Sequence, residues 1–136
     1  MKVLVDTPVW SLALRRRGRP ESEATRSELA SLIEDGRVAM IGPIRQELLS
    51  GIRERLLFDR LREHLRAFLD TEISSDDFEE AASFCNRCRA KGIQGSNTDF
   101  LICAVAVRHG FAIYTTDADF THFGKVLPVV LHRSVR

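Results

Sequence analysis

No stretch of this 136-residue sequence is apolar for long enough to cross a membrane. The first apolar run stops at Asp6, which is too soon for a secretory leader. Cysteine is scarce. Three cysteines, an odd number, in a chain that is 44% hydrophobic argue against a disulfide framework and for reduced thiols in a cytoplasmic protein. An excess of one charge is also lacking. The 20 basic and 19 acidic residues leave a net charge of +1, so overall charge selects no partner, and any nucleic-acid site must come from local clustering. Nothing in the composition suggests disorder, and there is no internal repeat or dividing linker. The expectation is one domain over residues 1–136 with a substantial core.

The pattern that is present alternates short strands with helices. Residues 2–5 read as a buried strand, rich in β-branched residues, ending abruptly at Asp6. Residues 8–14 read as a short helix with Pro8 in its first turn. Residues 21–34 read as a helix, 38–41 as a second strand and 44–52 as a helix. A further helix carries Leu56, Leu57, Leu61, Leu65, Phe68 and Leu69 as an apolar stripe, fit for the core or for a dimer face. Residues 71–73 suit a short strand, and Ser75 to Glu79 give a capping-box-like start to a helix ending near Ala90. Thr98 is placed to cap the next helix, which is apolar almost all round from Phe100 to Val107 and stops at Gly110. Residues 112–115 form a strand, and the last strand is expected within 126–131. Short links between strands and helices predict an α/β fold with a mainly parallel sheet.

Four acids are distributed so that such a sheet could gather them. Asp6 and Asp117 each end a strand, and parallel strands put both on one carboxyl edge, where α/β sheets bind ligands. Glu47 lies early in the helix after the second strand, and Asp99 opens the buried helix. Each has a plainer reading as a helix cap or a solvated residue. Together they suit a hard divalent cation, because clustered carboxylates repel and a cation allows all to ionise. Such a site can activate water for phosphoryl displacement. Asp119 reads more readily as a turn or cap residue than as a ligand. Of the four histidines only His122 follows an acid-bearing loop closely, and it reads as a surface or capping residue. Cys85 and Cys88 share a helix face, but no second pair completes a tetrahedral zinc site. The basic run Arg15, Arg16, Arg17 and Arg19, with Arg45, is the candidate phosphate-contact set. A phosphatase using an aspartyl nucleophile is disfavoured, since Asp6-Thr7-Pro8 supplies no Asp-x-Asp.

The chain resembles the PIN-domain ribonucleases, specifically the VapC-type toxins of toxin–antitoxin pairs. Residues 3–7 (VLVDT), 44–48 (IRQEL), 98–104 (TDFLICA) and 114–120 (YTTDADF) carry the resemblance, in order and spacing together. It implies a three-layer α/β/α fold with a mainly parallel central sheet, and cleavage of RNA by water with Mg2+ or Mn2+. Asp6, Glu47, Asp99 and Asp117 match the family's acidic quartet. Thr115 matches a small polar supporting residue, Asp119 a less constant acid, and Thr7 a position usually held by a small hydroxyl or amide residue. The resemblance further implies a homodimer and a VapB-type antitoxin, expected to dock around residues 44–69. A rival reading is a non-catalytic PIN-like module that binds RNA or regulates.

Overall fold

In the computed structural model, the backbone is described for residues 1–14 and 20–133, and side chains for the same residues except Pro20 and Glu21. Val3–Val5 (β1) is fully buried and lies between two parallel partners, Val38–Ala39 (β2) and Ala112–Tyr114 (β3). Leu4 is paired with Ala39 on one side and Ile113 on the other. A strand covered on both faces has no polar side to alternate, which is why β1 reads as a continuous apolar run.

The helices follow in the expected alternation. Thr7–Leu14 (α1) leaves β1, and Pro20–Glu34 (α2) returns to β2. Gly42–Leu49 (α3) and Arg55–Leu65 (α4) follow β2, then Ser75–Ala90 (α5) and Asn97–His109 (α6) lead to β3, and Asp119–Phe123 (α7) comes after it. Among the described residues no helix is long and apolar enough to cross a membrane. Cys85, Cys88 and Cys103 are free thiols, and burial pushes the Cys103 thiol far above its ordinary range.

The sheet is shorter than the sequence suggests. Residues 71–73 form no strand: neighbouring Asp70 makes one parallel bridge to Met40, and Thr71 N–H donates to the Met40 carbonyl at 2.7 Å. Glu72 there is exposed, so the segment has too little apolar surface to continue a ladder. The expected last strand is likewise one bridge, Ile113 to Leu131. Pro128 removes a ladder donor just before it.

The apolar stripe expected on one helix also divides, because α4 ends at Leu65 and leaves Phe68 and Leu69 beyond it. Leu65 is buried and Leu61 and Phe68 are half-buried, but Leu56 is 70% exposed, Leu57 is exposed, and Leu69 is 88% exposed. Only part of the stripe serves this chain's core.

α5 and α6, the helix whose first turn holds Asp99, pack against each other. Asp77, 1% exposed, is their polar bolt. Its carboxylate accepts from the Ser74 N–H at 2.9 Å and from Arg108 Nε of α6 at 2.9 Å. The α5 cap is therefore Ser74, one residue before the Ser75 start expected from the sequence. Burial alone would raise the Asp77 carboxyl. The Ser74 and Arg108 bonds and the nearby His109 outweigh it and hold the carboxyl below its usual value. α6 ends at Gly110, whose φ of 72° suits a left-handed cap.

The loop between α5 and α6 is held by aromatic packing. Phe123 of α7 sits 5.0 Å from Phe100 and 5.1 Å from Phe120, centroid to centroid. A Cβ on Gly95 would lie 2.6 Å from the Phe123 ring, so only glycine fits there without displacing it.

Two stability outcomes follow from this packing. Asp77→Ala is expected to cost about 2 kcal/mol at pH 7, by losing a cap and orphaning part of Arg108. Because folding lowers this carboxyl's pKa, its contribution is present above the ordinary carboxylate range and fades as pH falls through the lowered value. Urea unfolding of both proteins at pH 7 and pH 3 should show the gap narrow in acid. Gly95→Ala is expected to cost about 1–3 kcal/mol by overpacking against Phe123, read as a lower urea midpoint with an unchanged slope.

Candidate active site at the carboxyl edge of the sheet

Parallel strands end together, and here their ends carry acids. Asp6 follows β1, α3 with Glu47 follows β2, and Thr115 to Asp117 follow β3. The ladder continues one step beyond the strands, with Asp6 N–H donating to the Tyr114 carbonyl at 2.9 Å. α6 runs back against β3, so its N-terminus and Asp99 return to the same edge.

Asp6 is 5% exposed, and each of its carboxylate oxygens accepts one hydrogen bond. Its Oδ1 accepts from the Thr7 N–H at 2.9 Å, and its Oδ2 from the Thr115 hydroxyl at 2.8 Å. Asp6 starts α1, as its plain reading has it, since the Val9 N–H donates to its carbonyl at 3.1 Å. Thr115 Oγ1 accepts in turn from the Asp117 N–H at 3.0 Å. Asp117 Oδ1 accepts from the Asp119 N–H at 2.9 Å. One hydroxyl therefore spaces two acids, and the next turn orients the second.

Asp99 lies in a capping box that the sequence placed differently. Ser96, not Thr98, caps α6: Asp99 N–H donates to Ser96 Oγ at 3.1 Å, and Ser96 N–H donates to Asp99 Oδ2 at 3.2 Å. The Ser-x-x-Asp spacing was the available signal for it. This bond occupies one carboxylate oxygen of Asp99 and holds the side chain at the helix start.

The charges of these acids reach one another. Burial raises the Asp6 carboxyl above its usual value, the Thr115 and Thr7 bonds oppose this, and the charges of Asp99 and Glu47 add to it. Asp99 is raised by burial too, against the Ser96 bonds, with Asp117 and Asp119 adding to the rise. Glu47 and Asp119 are exposed, and Asp117 is half-buried. In these side-chain positions, among the described residues, no three His, Cys, Asp or Glu side chains stand close enough to hold one ion. The donor chemistry still suits a hard cation. The groups at this edge are carboxylate and hydroxyl oxygens, and Thr7 Oγ1 beside Asp6 is buried without a hydrogen-bond partner.

The phosphate-contact set fares differently. Arg15, Arg16, Arg17 and Arg19 lie outside the described residues. The Arg45 guanidinium is bonded within the fold. Nε donates to Asp70 at 3.0 Å, Nη1 to the Leu65 carbonyl at 2.9 Å, and Nη2 to the Phe68 carbonyl. Spacing alone could not foretell this, because the partners lie about 20 residues away in the turn after α4.

A buried carboxyl with a raised pKa destabilises the fold when it ionises. Stability from its protonated form is complete in acid and declines as pH rises through the raised value. Asp6→Asn is therefore expected to melt higher than the parent at pH 8 in chelator, with the gain vanishing near pH 4. Differential scanning calorimetry at both pH values checks it, and an equal or lower melting point at pH 8 would count against the burial argument.

The PIN domain family model matches residues 3–126. Ribonuclease VapC11 of Mycobacterium tuberculosis is 31% identical over 126 residues, 91% of this chain and 92% of its own length. A VapC ribonuclease of Mycobacterium bovis matches to the same extent, 31% over 126 residues. Among solved structures, VapBC2 from Rickettsia felis, bound to a DNA fragment from their promoter, superposes with a TM-score of 0.78 at 16% identity, covering 97% of this chain and 98% of that one. FitAcB from Neisseria gonorrhoeae gives 0.73 at 21% identity and 96% of each chain. The parallel sheet flanked by helices is the α/β/α arrangement expected from the sequence, and the chain belongs to the PIN domain family.

Proposed function

We propose that this protein is a metal-dependent endoribonuclease, the toxin of a toxin–antitoxin pair. The carrying observation is the buried Asp6 carboxylate, held by Thr115 and Thr7 within reach of the charges of Glu47 and Asp99. Relatives named as VapC ribonucleases, matched over nine-tenths of both chains, support the substrate class. A solved toxin–antitoxin complex from Klebsiella pneumoniae, which superposes with a TM-score of 0.63 at 20% identity, supports the partner.

Asp6, Glu47, Asp99 and Asp117 are the proposed ligands of Mg2+ or Mn2+. Bound there, the ion supplies the charge that lets these acids ionise together, activates water, and steadies charge on the phosphoryl group. The chain's own residues arrange this. Thr115 holds Asp6 and Asp117 at a set spacing through one hydroxyl. The Asp119 N–H orients Asp117, leaving its other oxygen to the ligand side. The exposed Asp119 carboxylate is suited to orient an attacking water. Ser96 keeps Asp99 at the helix start, where its second oxygen remains available. The exposed side chains of Leu56, Leu57 and Leu69 are the proposed seat of the antitoxin or of a second copy. Reduced cysteines keep the cytoplasm as the proposed compartment.

One observation favours the rival, a non-catalytic RNA-binding or regulatory module: among the described residues, no three acids are gathered closely enough for one ion in these side-chain positions. Hydrolysis decides between them. Purified protein is expected to cleave RNA with Mg2+ or Mn2+ and to stop in chelator. Asp99→Asn should slow cleavage at least about 100-fold while circular dichroism stays unchanged. Cleavage at the parental rate by the folded variant would refute the mechanism, and RNA binding without any hydrolysis by the parent would establish the rival.

A further inference from the structure

α3 has little of its own to fix its orientation. It is eight residues long, and its N-cap, Ile41, makes no side-chain cap bond. Helices this short depend on tertiary contacts for their stability. Its fully buried residues are Ile44 and Leu48, one turn apart, with Leu49 partly buried against the core beside them. Such a narrow stripe sets how deeply the helix sits but resists rolling about its axis poorly. At 100° per residue, Arg45 and Glu47 fall on opposite flanks of that stripe.

Arg45 supplies the missing constraint. Its Nη1 donates to the Leu65 carbonyl and its Nη2 to the Phe68 carbonyl, the end of α4 and the turn after it, where a cation is favoured. Its Nε donates to Asp70 Oδ1 at 3.0 Å, and Nη2 lies 2.9 Å from the same oxygen. Asp70 is bridged to Met40, just before α3. The guanidinium fork thus ties one flank of α3 to the end of α4 and to the sheet edge from which α3 departs. A planar fork with several fixed partners sets a direction that a single ammonium cannot.

We infer that Arg45 is a positioning residue: through its clamp on Leu65, Phe68 and Asp70 it sets the roll of α3 and so holds Glu47 towards Asp6. The inference rests on the reading of Glu47 and Asp6 as divalent-cation ligands. It makes Arg45 part of the ion site without contact to ion or RNA, and it assigns Asp70 the same role from the other side.

The test compares Arg45→Met, Arg45→Lys, Glu47→Gln and the double variant Arg45→Met/Glu47→Gln, with Asp77→Asn as a destabilised control remote from the site. All are measured well below their melting temperatures. Mn2+ affinity is read by calorimetry, and kcat and KM on an RNA oligonucleotide at saturating Mn2+. Arg45→Met is expected to weaken Mn2+ binding about 10- to 100-fold and to lower kcat with KM little changed. Arg45→Lys should recover part of the affinity, and Asp77→Asn should keep the parental affinity. The decisive comparison is the double variant: if Arg45 acts through Glu47, Arg45→Met adds no further loss in the Glu47→Gln background. Parental Mn2+ affinity in folded Arg45→Met, or a full additional loss in the double variant, overturns the inference and leaves the proposed activity standing. A parent protein that binds no Mn2+ overturns the reading of the site itself, and the inference with it.

Discussion

Placing a buried carboxylate among other carboxylates is the constraint on which the rest of this structure depends. Asp6 is withdrawn from water at the end of the central strand, and the charges of Glu47 and Asp99 add to the strain of ionising it. Left without partners, such a group would be strongly destabilising. Two donors make it tolerable, the Thr7 N–H at the start of α1 and the Thr115 hydroxyl beyond β3. Both come from chain segments that the parallel sheet brings to one edge. The sheet itself is small, with strands of two or three residues, and its main consequence is that convergence.

Local devices at this edge serve both fold and site. The Ser96–Asp99 capping box starts the buried helix α6 and also directs a candidate ligand. The Asp117 turn is held by Thr115 on one side and the Asp119 N–H on the other. Behind them, Phe100, Phe120 and Phe123 pack around the one loop position where a side chain would collide, Gly95. The Asp77–Arg108 pair holds α5 to α6 from the opposite end. Behind the edge the side chains are buried and packed, while Glu47 and Asp119 at the edge itself are exposed.

Much of this was legible in the chain. The strand ending at Asp6, the start of β3, the helix from residue 75 to 90 and the all-round apolar helix α6 follow from short apolar runs, capping residues and the absence of a polar face. Asp6, Asp99 and Asp117 stood out as candidates because each sits near the end of an element, whereas Glu47 lies within α3. The misreadings have physical causes. Pro128 and the exposed Glu72 reduced two expected strands to single bridges. Thr98 was an acceptable cap, but Ser96 stands at the reciprocal spacing to Asp99. The apolar stripe of α4 gave no indication that Leu56 and Leu69 would stay exposed, since periodicity does not say how much of a stripe has a partner within the chain.

By itself, the sequence determined the residue types at each strand end, the alternation that makes the strands parallel, and hence which acids could share an edge. Those properties are local, carried by runs of a few residues. Tertiary structure alone decided that the Thr115 hydroxyl meets Asp6 and that Arg45 faces inward to clamp the end of α4. These depend on contacts between segments from 20 to 109 residues apart, and no local pattern encodes the direction in which a side chain meets a partner so distant.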